Sequence, residues 1–186
     1  MTTHWKTIET WLQSNAPDVL AGLNPPASQQ QISDAEAALG ITFPADCIAT
    51  FRIHNGQSSD SPWLFDAWEF LSLERILDEW RVWKDLLDGG DFKDSRSDST
   101  GATVEDWWCP LWIPLTYDGA GNHDSLDLNP GPKGRKGQII KMWHDESERP
   151  LVATSYAEWI AGFASDMERG LCRFSEEYNG VIRGEE

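Results

Sequence analysis

The spacing of turn signals between Trp112 and Thr154 constrains the fold more than any other feature of the chain. Trp112-Ile113-Pro114-Leu115-Thr116-Tyr117 reads as a strand, and Pro114, which has no N–H to give to a ladder, places it at an edge or a bulge. Asp118-Gly119-Ala120-Gly121-Asn122 is a turn, and Ser125-Leu126-Asp127-Leu128 alternates as the returning strand. The Gly/Pro/Lys loop from Pro130 to Gly137 leads to two further strands, Gln138 to Trp143 and Leu151 to Thr154. Connections this short favour antiparallel neighbours over the long crossovers that parallel strands need.

Helices lie on either side of this region. Trp5, Ile8, Trp11 and Leu12 fall at helical spacing, so residues 3–14 form an amphipathic helix. Ser28 stands three residues before Gln31, the spacing of a capping box, and Ile32, Ala35, Glu36 and Leu39 follow on one side before Gly40. Pro44 suits the first turn of a helix from Ala45 to Ile53, which stops at Asn55-Gly56. Residues 57–71 are short and aromatic, and read as strand and turn. Leu73, Ile76, Trp80, Trp83 and Leu87 mark a longer helix ended by Gly89-Gly90. Ser155 and Glu158 predict a second capping box, and Trp159, Ile160, Phe163 and Met167 line a last helix closed by Gly170. Helices first, then meandering strands, then a closing helix give an α+β domain with a mainly antiparallel sheet.

With 186 residues the chain suits one domain, large enough for a core without staples. That core is expected over about residues 5–170, with a mobile polar loop at 91–103 and a patternless, mobile tail at 171–186. No apolar run approaches a membrane span, and the first residues carry no basic flank before an apolar stretch, so a cytoplasmic protein is expected. Cys47, Cys109 and Cys172 are odd in number and far apart, and read as buried thiols.

The net charge of −16 disfavours nucleic acid and anionic lipid and would steer a basic protein partner. Half of that charge lies between Asp60 and Asp106, which hold thirteen acids and five bases. Candidate partner-binding residues are therefore the carboxylates Asp85, Asp88, Asp91, Asp94, Asp98, Glu105 and Asp106. Trp63 and Trp68 join them as anchors, because they flank turns among acids whereas Trp5, Trp11, Trp80, Trp83 and Trp159 lie on helical core faces. Asp118, Asn122, Asp124 and Asp127 lack the spacing of a calcium loop and read as turn carboxylates and amides that bond nearby backbone. The scattered His54, His123 and His144 come with no nucleophile elbow or zinc motif, and Gly131 to Gly137 lacks the Gly-Lys-Ser/Thr of a phosphate loop. No catalytic residue, cofactor or metal is expected.

Several short motifs in fixed order carry a family resemblance. They are the segment Leu23 to Glu36, His54-Asn55-Gly56-Gln57 after a helix, Trp80 and Trp83, Trp112 with Pro114, Asp118-Gly119 and Gly121-Asn122, Asp127, Gly137-Gln138-Ile139, and His144-Asp145. Together they resemble the SUKH superfamily, which holds bacterial toxin-immunity proteins and fungal SMI/KNR-type cell-wall regulators. The resemblance covers about Trp5 to Gly170, and the polar stretch 91–103 and the tail depart from it. It implies an antiparallel sheet flanked by helices and a non-enzymatic binding function. The leading expectation is an immunity protein that neutralises a cognate toxin with a basic surface. The alternative is a scaffold or regulatory interaction protein of the same fold, with an enzyme or small-ligand binder as a distant third.

Overall fold

The computed structural model describes residues 1–184. Helix α1 (Thr2–Asn15) buries Trp5, Ile8 and Leu12 on one stripe. A second helix, α2 (Pro17–Gly22), opens on Pro17 and is too short to show periodicity in the sequence. At the start of α3 (Gln29–Leu39) the capping box forms in both directions: Gln31 N donates to Ser28 Oγ at 3.2 Å, and Ser28 N donates to Gln31 Oε1 at 2.9 Å. Helix α4 (Ala45–Phe51) ends two residues before the predicted boundary, and α5 (Leu73–Gly89) starts at a Ser72 cap. Ahead of α6 (Tyr156–Glu168) the second predicted box is only half formed. Ser155 Oγ accepts from Glu158 N at 3.1 Å, while the Glu158 carboxylate takes Thr154 N at 3.2 Å in place of Ser155 N.

The strands are β1 (Glu69–Phe70), β2 (Trp112–Pro114), β3 (Thr116–Tyr117), β4 (His123–Asp127), β5 (Gln138–Met142), β6 (Leu151–Ala153), β7 (Cys172–Ser175) and β8 (Gly180–Arg183). A four-stranded sheet runs β2-β4-β5-β6, with separate pairs β1-β3 and β7-β8, and every pairing of these strands is antiparallel. The architecture is therefore the expected α+β class. Pro114 sits on the edge strand β2, as its missing N–H requires. The strand predicted over 112–117 is broken at Leu115, whose N–H donates to Asp124 O while its carbonyl accepts from Leu71 N. That crossing point lets β3 leave the large sheet and pair with β1.

Helices and loops cover both faces of the large sheet. Ile113, Leu126 and Ile139 enter the main core with residues of α1, α4 and α6. Their neighbours Trp112, Ile140 and Met142 face the other way and pack with Trp83, Trp108 and Cys109 beneath α5 and the segment after it. All five residues of β4 are consequently buried, so its polar–apolar alternation sorts side chains between two interior layers rather than between core and water.

Two regions expected to be mobile, 91–103 and the tail (of which 185–186 lie outside the described residues), carry local structure that the sequence does not signal. The 91–103 stretch is tied to the body: Asp98 N donates to Ser147 O at 2.8 Å, Ser97 N to Glu105 O at 3.0 Å, and Thr103 bridges Pro130. Two of its hydroxyl side chains, Ser97 and Ser99, bond backbone, donating to the carbonyls of Val104 and Thr103. After Gly170, where no pattern is visible in the sequence, β7 and β8 form a hairpin that Trp63 and Ala67 extend through bonds with Asn179 and Val181. The three cysteines are buried and unpaired, and burial raises each thiol above its ordinary value.

Candidate functional site

The residues that carry the family resemblance hold the chain together from inside. His54 lies between Asn24 O (3.1 Å) and Glu9 (2.8 Å), and the Asn55 side chain accepts from Leu73 N at 3.0 Å, capping α5. Gly56 has φ +67, and a Cβ there would lie 2.2 Å from Ser72 N, so only glycine lets the two backbones pass. Gln57 is buried and fully engaged. Its oxygen accepts from Leu64 N (3.1 Å) and Phe70 N (2.9 Å), and its amide donates to Ser61 Oγ (2.7 Å) and Pro62 O (2.9 Å). One side chain thereby shapes the whole segment from 57 to 70.

The polar residues of the 118–138 region do not converge on a common point. Asp118 accepts from Ala120 N and Asn122 N within its own turn, where Gly121 has φ +105, and Asn122 Oδ1 accepts from His144 N at 2.8 Å. Asp127 accepts from Gln138 Nε2 at 2.8 Å and Asn129 N at 2.9 Å, and Gln138, following Gly137 at φ +90, also donates to Ala102 O. Asp124 points to the opposite face of β4 and pairs with Lys141 Nζ at 2.8 Å; burial raises its carboxyl even against that ammonium. Among the described residues no group of three His, Cys, Asp or Glu side chains could hold a metal.

His123 is buried on the second face. Its Nε2 accepts from Trp83 Nε1–H at 3.1 Å, which leaves Nδ1 to donate to Thr116 O at 2.7 Å. That arrangement needs the neutral ring, and burial lowers its pKa to about 4. The geometry suits a structural histidine locked in one tautomer.

One of the surface grooves collects Trp63 and Trp68. Phe65 and Trp68 exchange backbone bonds of 3.1 and 2.9 Å across Asp66 and Ala67, whose φ values are +52 and +56. This is a two-residue hairpin turn of the kind that requires positive φ at both central residues. Arg183 of β8 holds it: Arg183 N donates to the Asp66 carboxylate at 3.2 Å and Arg183 Nε at 2.9 Å, and Nη1 reaches Asp166 at 3.3 Å. Between this turn, the 118–122 turn and the β7-β8 hairpin lies a groove of about 530 Å³. Trp63, Trp68, Asp118, Tyr178, Ile182 and Arg183 line it. Trp63 and Trp68 are half-buried, and Tyr178 is 56% exposed. Lys141 Nζ stands 3.8 Å from the centre of the Trp68 ring and 5.6 Å from that of Trp143. Tyr178, Ile182 and Arg183 carry no sequence signal as site residues, because they come from the hairpin that has no pattern of its own.

The acidic candidates belong to a different surface. They lie on α5 and the segment covering the Trp83 and Trp108 face, whereas Trp68 stacks on Lys141, the ion-pair partner of Asp124, on the other face. Asp85, Asp91, Asp94, Glu105 and Asp106 are exposed. Asp88 is paired with Lys84, and Asp98 is engaged by Ser147 through both backbone and side chain. The two groups of candidates thus do not form one patch.

The antiparallel sheet covered on both faces, the turn motifs that lock it and the aromatic groove define a small α+β domain. The model of the SMI1 / KNR4 family (SUKH-1) matches residues 26–162, and the chain belongs to that family. It is similar to the cell wall assembly regulator SMI1 of Saccharomyces cerevisiae, 29% identical over 89% of this chain and 40% of that protein. It is also similar to the cell wall biosynthesis/cell cycle regulator smi1 of Schizosaccharomyces pombe (29% identical, 95% and 38%) and to the glucan synthesis regulatory protein of Neurospora crassa (28% identical, 94% and 40%). The chain spans about 40% of the length of these relatives, all three of which are named as regulators.

Proposed function

We propose that this chain is a regulatory protein-interaction domain that holds a partner at the aromatic groove and performs no chemistry. The carrying observation is the groove itself: Trp63 and Trp68 from the 57–70 segment and Tyr178 from the β7-β8 hairpin stand partly open around about 530 Å³. Large, stiff aromatic side chains half in and half out of a surface are the kind that dominate binding energy at interfaces. The names of the relatives support regulation through partners, and the internal engagement of His54, His123, Asp118 and Asp127 leaves the polar motifs to the fold. The test is quantitative co-purification from the source cell with Trp63→Ala and, separately, Tyr178→Ala. A partner retained by the parent chain and lost from both variants, at unchanged melting temperature, supports the reading; retention by both removes it.

A second reading, neutralisation of a toxin with a basic surface, rests on the exposed carboxylates Asp85, Asp91, Asp94, Glu105 and Asp106. The relatives' names favour regulation over it. Converting Asp85, Asp91 and Asp94 together to Asn separates the two: toxin capture steered by this surface slows, while a partner held at the groove is retained.

A further inference from the structure

We infer that the groove receives a cationic side chain, arginine ahead of lysine, from a basic segment of the protein partner. The inference rests on the reading of the groove as the binding surface and adds the chemistry of what enters it. The argument begins with the one cation already there. Arg183 lines the groove, yet its guanidinium is committed to Asp66 and to Asp166, a carboxylate it shares with Arg169. A carboxylate or phosphate from outside would have to displace Asp66, which would also release the Asp66-Ala67 turn. An anionic ligand is therefore disfavoured at the point where Arg183 would otherwise invite it.

The other charges on the segments that form the groove walls are mostly negative. Asp118 lines the groove, and its oxygens accept hydrogen bonds from the turn. Exposed Glu176 and Glu177 precede Tyr178 at the tip of the β7-β8 hairpin, and exposed Asp60 lies three residues before Trp63. Lys141, which stacks on Trp68, is held by Asp124, and Arg173 lies opposite Ile182 in the hairpin ladder. Aromatic faces beside unpaired carboxylates attract a cation twice, through the ring quadrupole and through the field of the acids.

The protein already makes this contact internally, since Lys141 sits 3.8 Å over the Trp68 ring. Trp63 and Tyr178 offer ring surface that no internal cation occupies among the described residues; the described cation–ring contacts use Phe163, Trp68, Trp107, Trp112, Tyr117 and Trp143. A planar guanidinium stacks on such faces better than a compact ammonium and is more weakly hydrated, hence the preference for arginine.

The probes are acetyl-Gly-Arg-Gly-amide and its citrulline counterpart, which has nearly the same shape and no charge. Both are titrated into the full chain while the indole N–H signals of Trp63 and Trp68 are followed by NMR, each assigned with a Trp→Phe variant. Saturable shifts at both indoles, about tenfold weaker binding of the citrulline peptide, and weakening with salt are expected. Equal binding of the two peptides would make the groove an apolar site and overturn the inference, as would no shift at either indole. If the arginine peptide fails while a cellular partner is still lost from Trp63→Ala and Tyr178→Ala, the interaction reading stands and only the cationic preference falls.

Discussion

Replacing His123 with Asn should flatten the acid side of the stability profile. In the folded chain the His123 ring is 1% exposed, accepts from Trp83 at 3.1 Å and donates to Thr116 O at 2.7 Å. A proton on Nε2 would face the Trp83 N–H, inside a layer of Trp83, Tyr117 and Met142. Burial is the main cause that lowers the pKa from 6.5 to about 4. The unfolded chain therefore takes up this proton first as pH falls. The stability linked to His123 is complete above about pH 6.5 and is lost progressively toward about pH 4, a total of about 3 kcal/mol at 1.36 kcal/mol for each pKa unit. Between about pH 7 and about pH 5 the loss is about 2 kcal/mol. Asp124 and Asp127, whose carboxyl values are raised by burial, act with the opposite sign, so the measured quantity is the difference between parent and variant. Urea unfolding at both pH values supplies it. The variant should be less stable at neutral pH by about 1–3 kcal/mol, because Trp83 Nε1–H loses its acceptor. It should also lose about 2 kcal/mol less than the parent on acidification. Parallel profiles would refute the neutral, locked histidine.

Three further outcomes follow from the same geometry. Gly56→Ala, with its Cβ 2.2 Å from Ser72 N and φ at +67, should destabilise by about 3 kcal/mol or more and lower the melting temperature by roughly 10 °C in a thermal scan. Ala67→Gly, at φ +56, should stabilise by about 0.5–1 kcal/mol in the same scan, because glycine adopts this half of the hairpin turn without strain. Lys141→Met should leave the Asp124 carboxylate buried without its counter-charge at a cost of about 3 kcal/mol. Because losing Lys141 favours the protonated Asp124, that cost should shrink as pH falls and be partly removed by adding Asp124→Asn, which urea titrations of single and double variants can measure.

The helices and the antiparallel meander were legible because their signals are local. Ser28 with Gln31 spells out a cap, and Gly40 and Gly90 close their helices at positive φ. The break at Leu115 was not legible, since nothing in Trp112–Tyr117 shows that Thr116 and Tyr117 pair with Phe70 and Glu69 some 46 residues earlier. Alternation in Ser125-Leu126-Asp127 marks a strand, but period two cannot distinguish water from a second interior layer. Trp63 and Trp68 stood out as anchors by their acidic neighbours, but the third wall of the groove did not. Tyr178 and Arg183 lie in a hairpin whose turn residue Asn179 has φ +48 and whose order depends on bonds to Trp63 and Ala67, far away in sequence. The positive-φ turn at Asp66-Ala67 likewise lacks the glycine that would announce it, and Arg183 supplies from a distance what the local sequence does not.

The central claim is that a protein partner is held at the aromatic groove, and site-specific photocrosslinking tests it most directly. A photoreactive phenylalanine is placed at Tyr178, which is 56% exposed, and in a second chain at the exposed Asp85 of α5. Both chains are irradiated in the source cell, and the adducts are identified by mass. A single defined adduct from position 178, absent when Trp63→Ala is combined with it, is the predicted result. An adduct from position 85 with none from position 178 would contradict the account and move the binding surface to the acidic face.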